Sequence, residues 1–249
     1  MELDRLRLGV EPLDYLIPEG IVRNSLIGIM GETGTGKSAL LNEIAFRALE
    51  RGEKVLFILL EDVPLFRVLS LKAMGFDVEK QLEKGNLTFL DCFSYRLRGL
   101  DVEAPTEVPI ARFSFEAEDP RNPESVWETV FDKAREMKRG IILLDSLTEF
   151  LTIVPDASVL LDMMKVAKAI LCRYYSIPLF YSFHFGLFDD FRFQLEIFTD
   201  GVIDLRFNPE VVNQALVKQM RIRRMSGCSH RSEWITFDVE KGKGIVMVR

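Results

Sequence analysis

The chain has 249 residues, 48% hydrophobic and 28% charged, and its 32 basic and 38 acidic side chains leave a formal charge of −6. This length and hydrophobicity suit one large α/β domain over residues 1–249 and exclude a disordered chain, while the acidic balance argues against a protein whose main work is coating a phosphate backbone. No apolar run is long enough to span a bilayer or serve as an export signal, so we expect no membrane insertion, and Cys92, Cys172 and Cys228 read as free thiols of a cytoplasmic protein.

In chain order, SLIGIM (25–30) predicts the first buried strand, followed at once by GETGTGKS (31–38) and a helical stretch over 39–51. KVLFILL (54–60) predicts a second strand that ends on Glu61 and Asp62, before a helix from Pro64 to Gly75. NLTFLD (86–91) predicts a third. Residues 95–122, with three prolines and mixed charge, predict an inserted loop or hairpin suited to a partner. Asn122 and Pro123 open a helix running to Met137, and GIILLD (140–145) predicts a fourth strand. Asp156 precedes a helical stripe through Leu160, Met163, Met164, Ala167, Ile170 and Leu171, and IPLFYSF (177–183) predicts a fifth strand. After Asp200 the runs GVIDLRF, ALVKQMRIRR, EWITFDV and GIVMVR predict an antiparallel extension at the far edge of the sheet. The expected fold class is therefore α/β, a P-loop domain with a mostly parallel central sheet, helices on both faces and C-terminal antiparallel strands.

GETGTGKS satisfies G-x-x-x-x-G-K-[ST] between a predicted strand and a predicted helix, the context this motif requires. Gly31, Glu32, Thr33, Gly34, Thr35 and Gly36 would present backbone N–H groups to phosphates, with Ala39 continuing the first helical turn. Lys37 would reach the β and γ oxygens, and Ser38 would offer its hydroxyl to Mg²⁺. A second Mg²⁺-holding carboxylate must come from a strand end, and Asp145 closes the run IILLD. Ser146 follows it, so the water-activating base must lie elsewhere. Glu61, with Asp62 beside it, emerges at the same carboxyl edge of the sheet and is the candidate base; the other reading is that the pair caps the next helix.

The order of these elements resembles the KaiC-like branch of the RecA superfamily from about Leu8 to the end. The landmarks are LGVEPLD, GETGTGKS, the acidic pair after FILL, GFD, GNLTFLD, IILLDSLT, TDGVIDL, and GCSH followed by FDV and GIVM. The resemblance implies a RecA-type fold, an ATPase using ATP with Mg²⁺, and a homo-oligomeric ring, usually of six, with nucleotide between neighbouring subunits. The functional expectation is an ATP-dependent switch acting on a protein partner. A late K-x-R-G-x-x-H segment of the family reaches the adjacent subunit's γ-phosphate, and its positions here run from Arg224 to His230. Arg224 stands at the family's lysine and Ser226 at its arginine, so one of two positive charges is missing unless Arg223 substitutes, which implies slow or lost hydrolysis. His184, at the end of its strand, stands where the superfamily often keeps a polar group sensing the γ-phosphate; a structural histidine is the other reading.

Two alternatives stay open. A DNA-binding recombinase paralogue would use a stripe of Lys218, Arg221, Arg223, Arg224 and Arg231, yet SLTEFLTIVPDAS contains no base and HFGLFDDFRFQLE is net acidic, so nucleic acid is disfavoured. Phe185, Phe188, Phe191 and Phe193 in the second segment read as packing under the sheet or against another protein. The other alternative is a non-hydrolysing, nucleotide-loaded scaffold such as an archaellum-associated relative. Zinc at Cys228-x-His230 lacks a second ligand pair of recognisable spacing.

Overall fold

The computed structural model describes residues 3–99, 112–154, 156–186, 188–210 and 216–248. Its main sheet has ten strands. Seven run in parallel side by side: β9 (Gly201–Phe207), β3 (Leu26–Gly31), β8 (Leu179–His184), β7 (Gly140–Asp145), β4 (Lys54–Leu59), β5 (Leu87–Asp91) and the short edge strand β6 (Ser114–Phe115). The nearly continuous apolar content of β3, β8, β7, β4 and β5 follows from burial on both faces. A small antiparallel pair, β1 (Arg5–Leu6) with β2 (Ile21–Val22), flanks helix α1 (Glu11–Leu16).

Two cores lie on either side of the sheet. One gathers apolar residues of α1, α2 (Lys37–Glu50), α3 (Pro64–Ala73) and α4 (Glu79–Glu83). The other gathers those of α5 (Pro123–Glu136), α6 (Leu147–Ile153), α7 (Ala157–Ala167) and α8 (Asp189–Phe198). The two helix starts signalled by Asn122 and Asp156 hold: each side chain accepts the N–H two residues on, from Glu124 and Ser158 respectively.

The late strands depart from expectation in one respect. β9 (Gly201–Phe207) is parallel to β3 and sits directly beside it, and the antiparallel extension starts only with β10 (Lys218–Met225), followed by β11 (Ile235–Glu240) and β12 (Gly244–Met247). The apolar pattern reports which faces of a strand are buried rather than which way its neighbour runs, and GVIDLRF, interrupted by Asp204 and Arg206, reads as a half-solvated strand. The segment read as an insertion contributes β6 at its described end, and residues 100–111 lie outside the described residues. The stretches after β7 and β8 fold mostly as α6 and α8.

Candidate nucleotide-binding site

Parallel register brings four strand ends to one edge: Gly31 pairs with His184, Leu59 with Asp145, and Leu144 with Tyr181. This carboxyl edge, at the strand β3 that is flanked by β8 and β9, is where ligands of open α/β sheets bind. Gly31 is pressed against β9, since a Cβ there would lie 2.3 Å from the Leu205 carbonyl oxygen. Gly36 caps α2 at φ +103°, a conformation that disfavours any side chain. The 14-residue α2 carries no acidic residue in its first turn, so its N-terminal dipole faces the loop uncompensated. Glu32, Thr33, Gly34 and Ser38 are exposed, whereas Thr35 is buried and donates its hydroxyl to the Glu32 carbonyl at 2.7 Å, shaping the loop from within. Ala39 packs against the core.

Lys37 is buried and its Nζ donates to the carbonyls of Gly31 (3.0 Å) and Glu32 (2.7 Å). Burial lowers its pKa to about 8, against the opposing pull of Asp145, Glu61 and Glu32. Asp145 is buried too, and burial alone would raise its pKa. Arg67 and the hydroxyls of Ser182 and Ser38 reverse that and hold the carboxylate below its usual range. Arg67 Nη2 donates to Asp145 Oδ2 at 2.5 Å, and Ser182 Oγ to Oδ1 at 2.5 Å.

Glu61 follows β4 and is exposed. Its Oε1 accepts from the Ser146 hydroxyl and lies 3.3 Å from His184 Nε2. The other ring nitrogen of His184 lies 3.4 Å from Thr33 Oγ1, and its backbone N–H donates to Thr148 Oγ1 at 2.8 Å. Asp62 points elsewhere: its Oδ1 accepts from the Val63 N–H at 2.8 Å, at the entry of α3. Hence the loop, Asp145, Glu61 and His184 converge, and Asp62 does not join them.

The segment from Arg223 to His230 lies at the opposite edge. Because β10 runs antiparallel to β9, Lys218 sits near Gly36 while Arg224 pairs with Val202 at the start of β9, about 20 Å of strand away. The segment is thus separated from its own phosphate loop along the strands, rather than across the sheet. A bulge between Ile222 and Arg224 places Ile222 and Met225 on the core face and leaves both arginines off it. Arg223 forms ion pairs with Asp204 (2.6 Å) and Glu196 (2.8 Å). Arg224 is exposed and donates to the carbonyls of Glu196 and Thr199. His230 Nδ1 lies 3.5 Å from the Cys228 carbonyl oxygen.

Sequence reasoning missed Arg67, Ser182 and a wall of Phe207, Phe237 and Lys218 beside Gly34 and Gly36. A signal existed for Arg67. On α3 the buried positions are Pro64, Arg67, Val68 and Leu71, so a charge interrupts an apolar stripe of helical spacing. The residues present fit a nucleoside triphosphate with Mg²⁺: a helix N-terminus, a desolvated lysine, and a hydroxyl hydrogen-bonded to a buried carboxylate.

The family described as "ATPase: KaiC" matches this chain over residues 6–249. A UPF0273 protein of Thermotoga maritima is 22% identical over 98% of this chain and 96% of its own length. An archaeal flagellar ATP-binding protein, FlaH, of Methanocaldococcus jannaschii is 31% identical over 37% of this chain and 40% of its own length. Several other curated relatives are matched over only 34 to 37% of their length. Among solved structures, a KaiC-like protein of Pyrococcus horikoshii OT3 superposes with a TM-score of 0.77 at 18% identity, covering 100% of both chains.

Proposed function

Because the chain belongs to the KaiC ATPase family, we propose that it binds ATP with Mg²⁺ at residues 31–38, hydrolyses it slowly, and acts as a nucleotide-dependent switch on a protein partner. The observation that carries this reading is the convergence of Lys37, Asp145, Glu61 and His184 at one sheet edge. Mg²⁺, when bound, would neutralise charge developing on the β and γ oxygens. Ser38 and Asp145 would hold it. Lys37 would exchange the Gly31 and Glu32 carbonyls for phosphate oxygens, charge-assisted bonds that are stronger than those it leaves. Glu61, open to solvent and steered by the Ser146 hydroxyl and His184, would take the proton of the attacking water. His184, touching both Glu61 and Thr33, would link the base to the loop.

In this proposal the protein is a cytoplasmic homo-oligomeric ring, a hexamer, and Arg224 of one subunit completes the neighbour's site, with Arg223 and His230 beside it. Arg224 suits that role better than Arg223, whose guanidinium is committed to Asp204 and Glu196. The test is mass measurement with ATP and Mg²⁺ together with phosphate release. A protein that stays monomeric and never binds nucleotide overturns the reading. A second reading, an ATP-loaded scaffold without turnover, is favoured by Ser226 at the family's arginine and by the partial likeness to the archaeal flagellar ATP-binding protein. It predicts ATP binding and assembly with no phosphate released.

A further inference from the structure

Arg67 is required by no step above, and it is buried against the carboxylate that the metal needs. Its Nη2 lies 2.5 Å from Asp145 Oδ2, its Nη1 donates to Asn42 Oδ1 at 3.1 Å, and its guanidinium stands 5.1 Å from the centre of the Phe57 ring. Asn42 in turn donates to Ser70 Oγ at 3.0 Å, so the network joins α2, α3 and the end of β7. Ser182 takes the other Asp145 oxygen at 2.5 Å, and Ser38 bonds the same carboxylate. Arg67 is 7% exposed and Asp145 2%.

A guanidinium this close to a metal-binding carboxylate acts on a divalent cation in three ways. It balances the charge of Asp145, which lowers the attraction that the carboxylate offers a second positive charge, and it repels the cation directly. It also occupies Oδ2, which leaves less lone-pair capacity for a metal or its waters. We propose that Arg67 is a tethered cation that competes with the divalent metal for Asp145, and so sets the metal concentration at which the nucleotide site fills. Its position in the fold suits this. α3 starts at Pro64, three residues after Glu61, so a cation that draws Asp145 away from Arg67 loosens the anchor of the helix that follows the base. Metal occupancy and base position are then coupled through one ion pair. The inference rests on the reading of residues 31–38 as an ATP site.

The test compares wild type with Arg67→Met, which keeps much of the side-chain volume and removes the charge, and with Arg67→Lys, which keeps the charge but cannot span Asn42 and Asp145 together. Mn²⁺ binding is read by electron paramagnetic resonance in the presence of a non-hydrolysable ATP analogue, with thermal melts in chelator and in saturating Mn²⁺. A nearby unit charge alters a carboxylate's affinity for a proton by one or more powers of ten. The expected result is that Arg67→Met fills with Mn²⁺ at about a tenfold lower concentration, with Arg67→Lys between. Arg67→Met should melt earlier than wild type in chelator, where Asp145 is buried without its partner, and recover most of that loss when Mn²⁺ and the analogue are present. A role confined to packing would lower both melts equally and leave the Mn²⁺ requirement unchanged; that result, or a higher requirement, overturns the proposal. If Arg67→Met does not fold, Arg67→Lys decides it by the same shift or its absence. Wild type that binds neither analogue nor metal sinks the nucleotide reading itself, whereas equal Mn²⁺ demand in nucleotide-binding proteins sinks only the role of Arg67.

Discussion

His184 Nε2 lies 3.3 Å from Glu61 Oε1, and its Nδ1 lies 3.4 Å from Thr33 Oγ1, so one imidazole spans the gap between the candidate base and the phosphate loop. Glu61 therefore has a fixed orientation although it is open to solvent, since Ser146 also donates to it. Glu61→Gln keeps the shape and the Ser146 contact but cannot take a proton. It should bind a non-hydrolysable ATP analogue as wild type does and lose turnover by about a hundredfold or more, measured as phosphate release. Asp62→Asn should leave turnover within about twofold of wild type, because Asp62 serves the entry of α3. Equal turnover in Glu61→Gln and wild type would place the base elsewhere.

Lys37 makes nucleotide binding depend on pH with a definite sign. Its pKa falls from 10.5 to about 8, chiefly by burial. The folded protein thus binds fewer protons than the unfolded chain between about pH 8 and 10.5, and Lys37 makes stability rise with pH across that window. Phosphate favours the charged lysine, so ATP affinity should fall as pH climbs from 7 to 9, and binding at pH 9 should take up a proton. Calorimetry in two buffers of different ionisation enthalpy reads that uptake. Lys37→Ala should abolish ATP binding, remain folded, and lose the rise in stability above pH 8. Undiminished ATP affinity in this variant would remove the phosphate-loop assignment.

Much of this site was legible because its parts are punctuation. Apolar runs that end on Gly31, Glu61 or Asp145 mark strand ends, and parallel strands put such ends at one edge. What was not legible depends on pairings between distant residues. Arg67 finds Asp145 across 78 residues, and Ser182 finds it across 37. The direction of β9 is a relation to β3 that its own residues do not carry. The bulge that frees Arg223 and Arg224 from strict alternation is likewise a mismatch with a partner strand. Of the four phenylalanines after β8, Phe191 is buried and stacks on Phe183 at 6.0 Å, Phe185 and Phe188 pack partly buried against the same core, and Phe193 stays 56% exposed.

Single-stranded DNA should bind no tighter than about 10 μM at physiological salt. Three of the five bases in the stripe are paired from within: Arg221 with Asp204 at 3.0 Å, Arg223 with Asp204 and Glu196, and Lys218 with Asp238 at 3.4 Å, while Arg224 and Arg231 bond neutral oxygens. The segments after β7 and β8, where recombinase-like contacts would fall, form α6 and α8, and α8 carries two aspartates in its first turn. Phosphates would have to displace these carboxylates before any counterion release could drive binding. Fluorescence anisotropy with a labelled oligonucleotide across a salt series checks this, and sub-micromolar affinity that collapses with salt would favour the recombinase alternative.

The last prediction concerns Arg224, which pairs with Val202 at the amino edge of the sheet while its own phosphate loop lies at the carboxyl edge. No rotamer closes a gap of about 20 Å, since an extended arginine side chain reaches less than half of that. If Arg224 serves an ATP site at all, it serves a neighbour's. Head-to-tail contacts supply that geometry, because each copy then presents its phosphate loop on one side and its β10 end on the other, and a closed ring repeats the contact. Arg224 would give up the Glu196 and Thr199 carbonyls for a γ-phosphate, exchanging neutral acceptors for a charged one. Arg224→Ala should therefore keep the fold and the ATP affinity of the isolated subunit, and weaken ATP-dependent assembly and any turnover. Mixing Lys37→Ala subunits with Arg224→Ala subunits should restore a fraction of functional sites, because a site with both halves intact forms wherever the two meet in the right order. Native mass spectrometry verifies that mixed rings form, and phosphate release or retained nucleotide per ring counts the restored sites. Mixed rings without recovery would return Arg224 to what its present contacts make it, a clamp on the carbonyl end of α8.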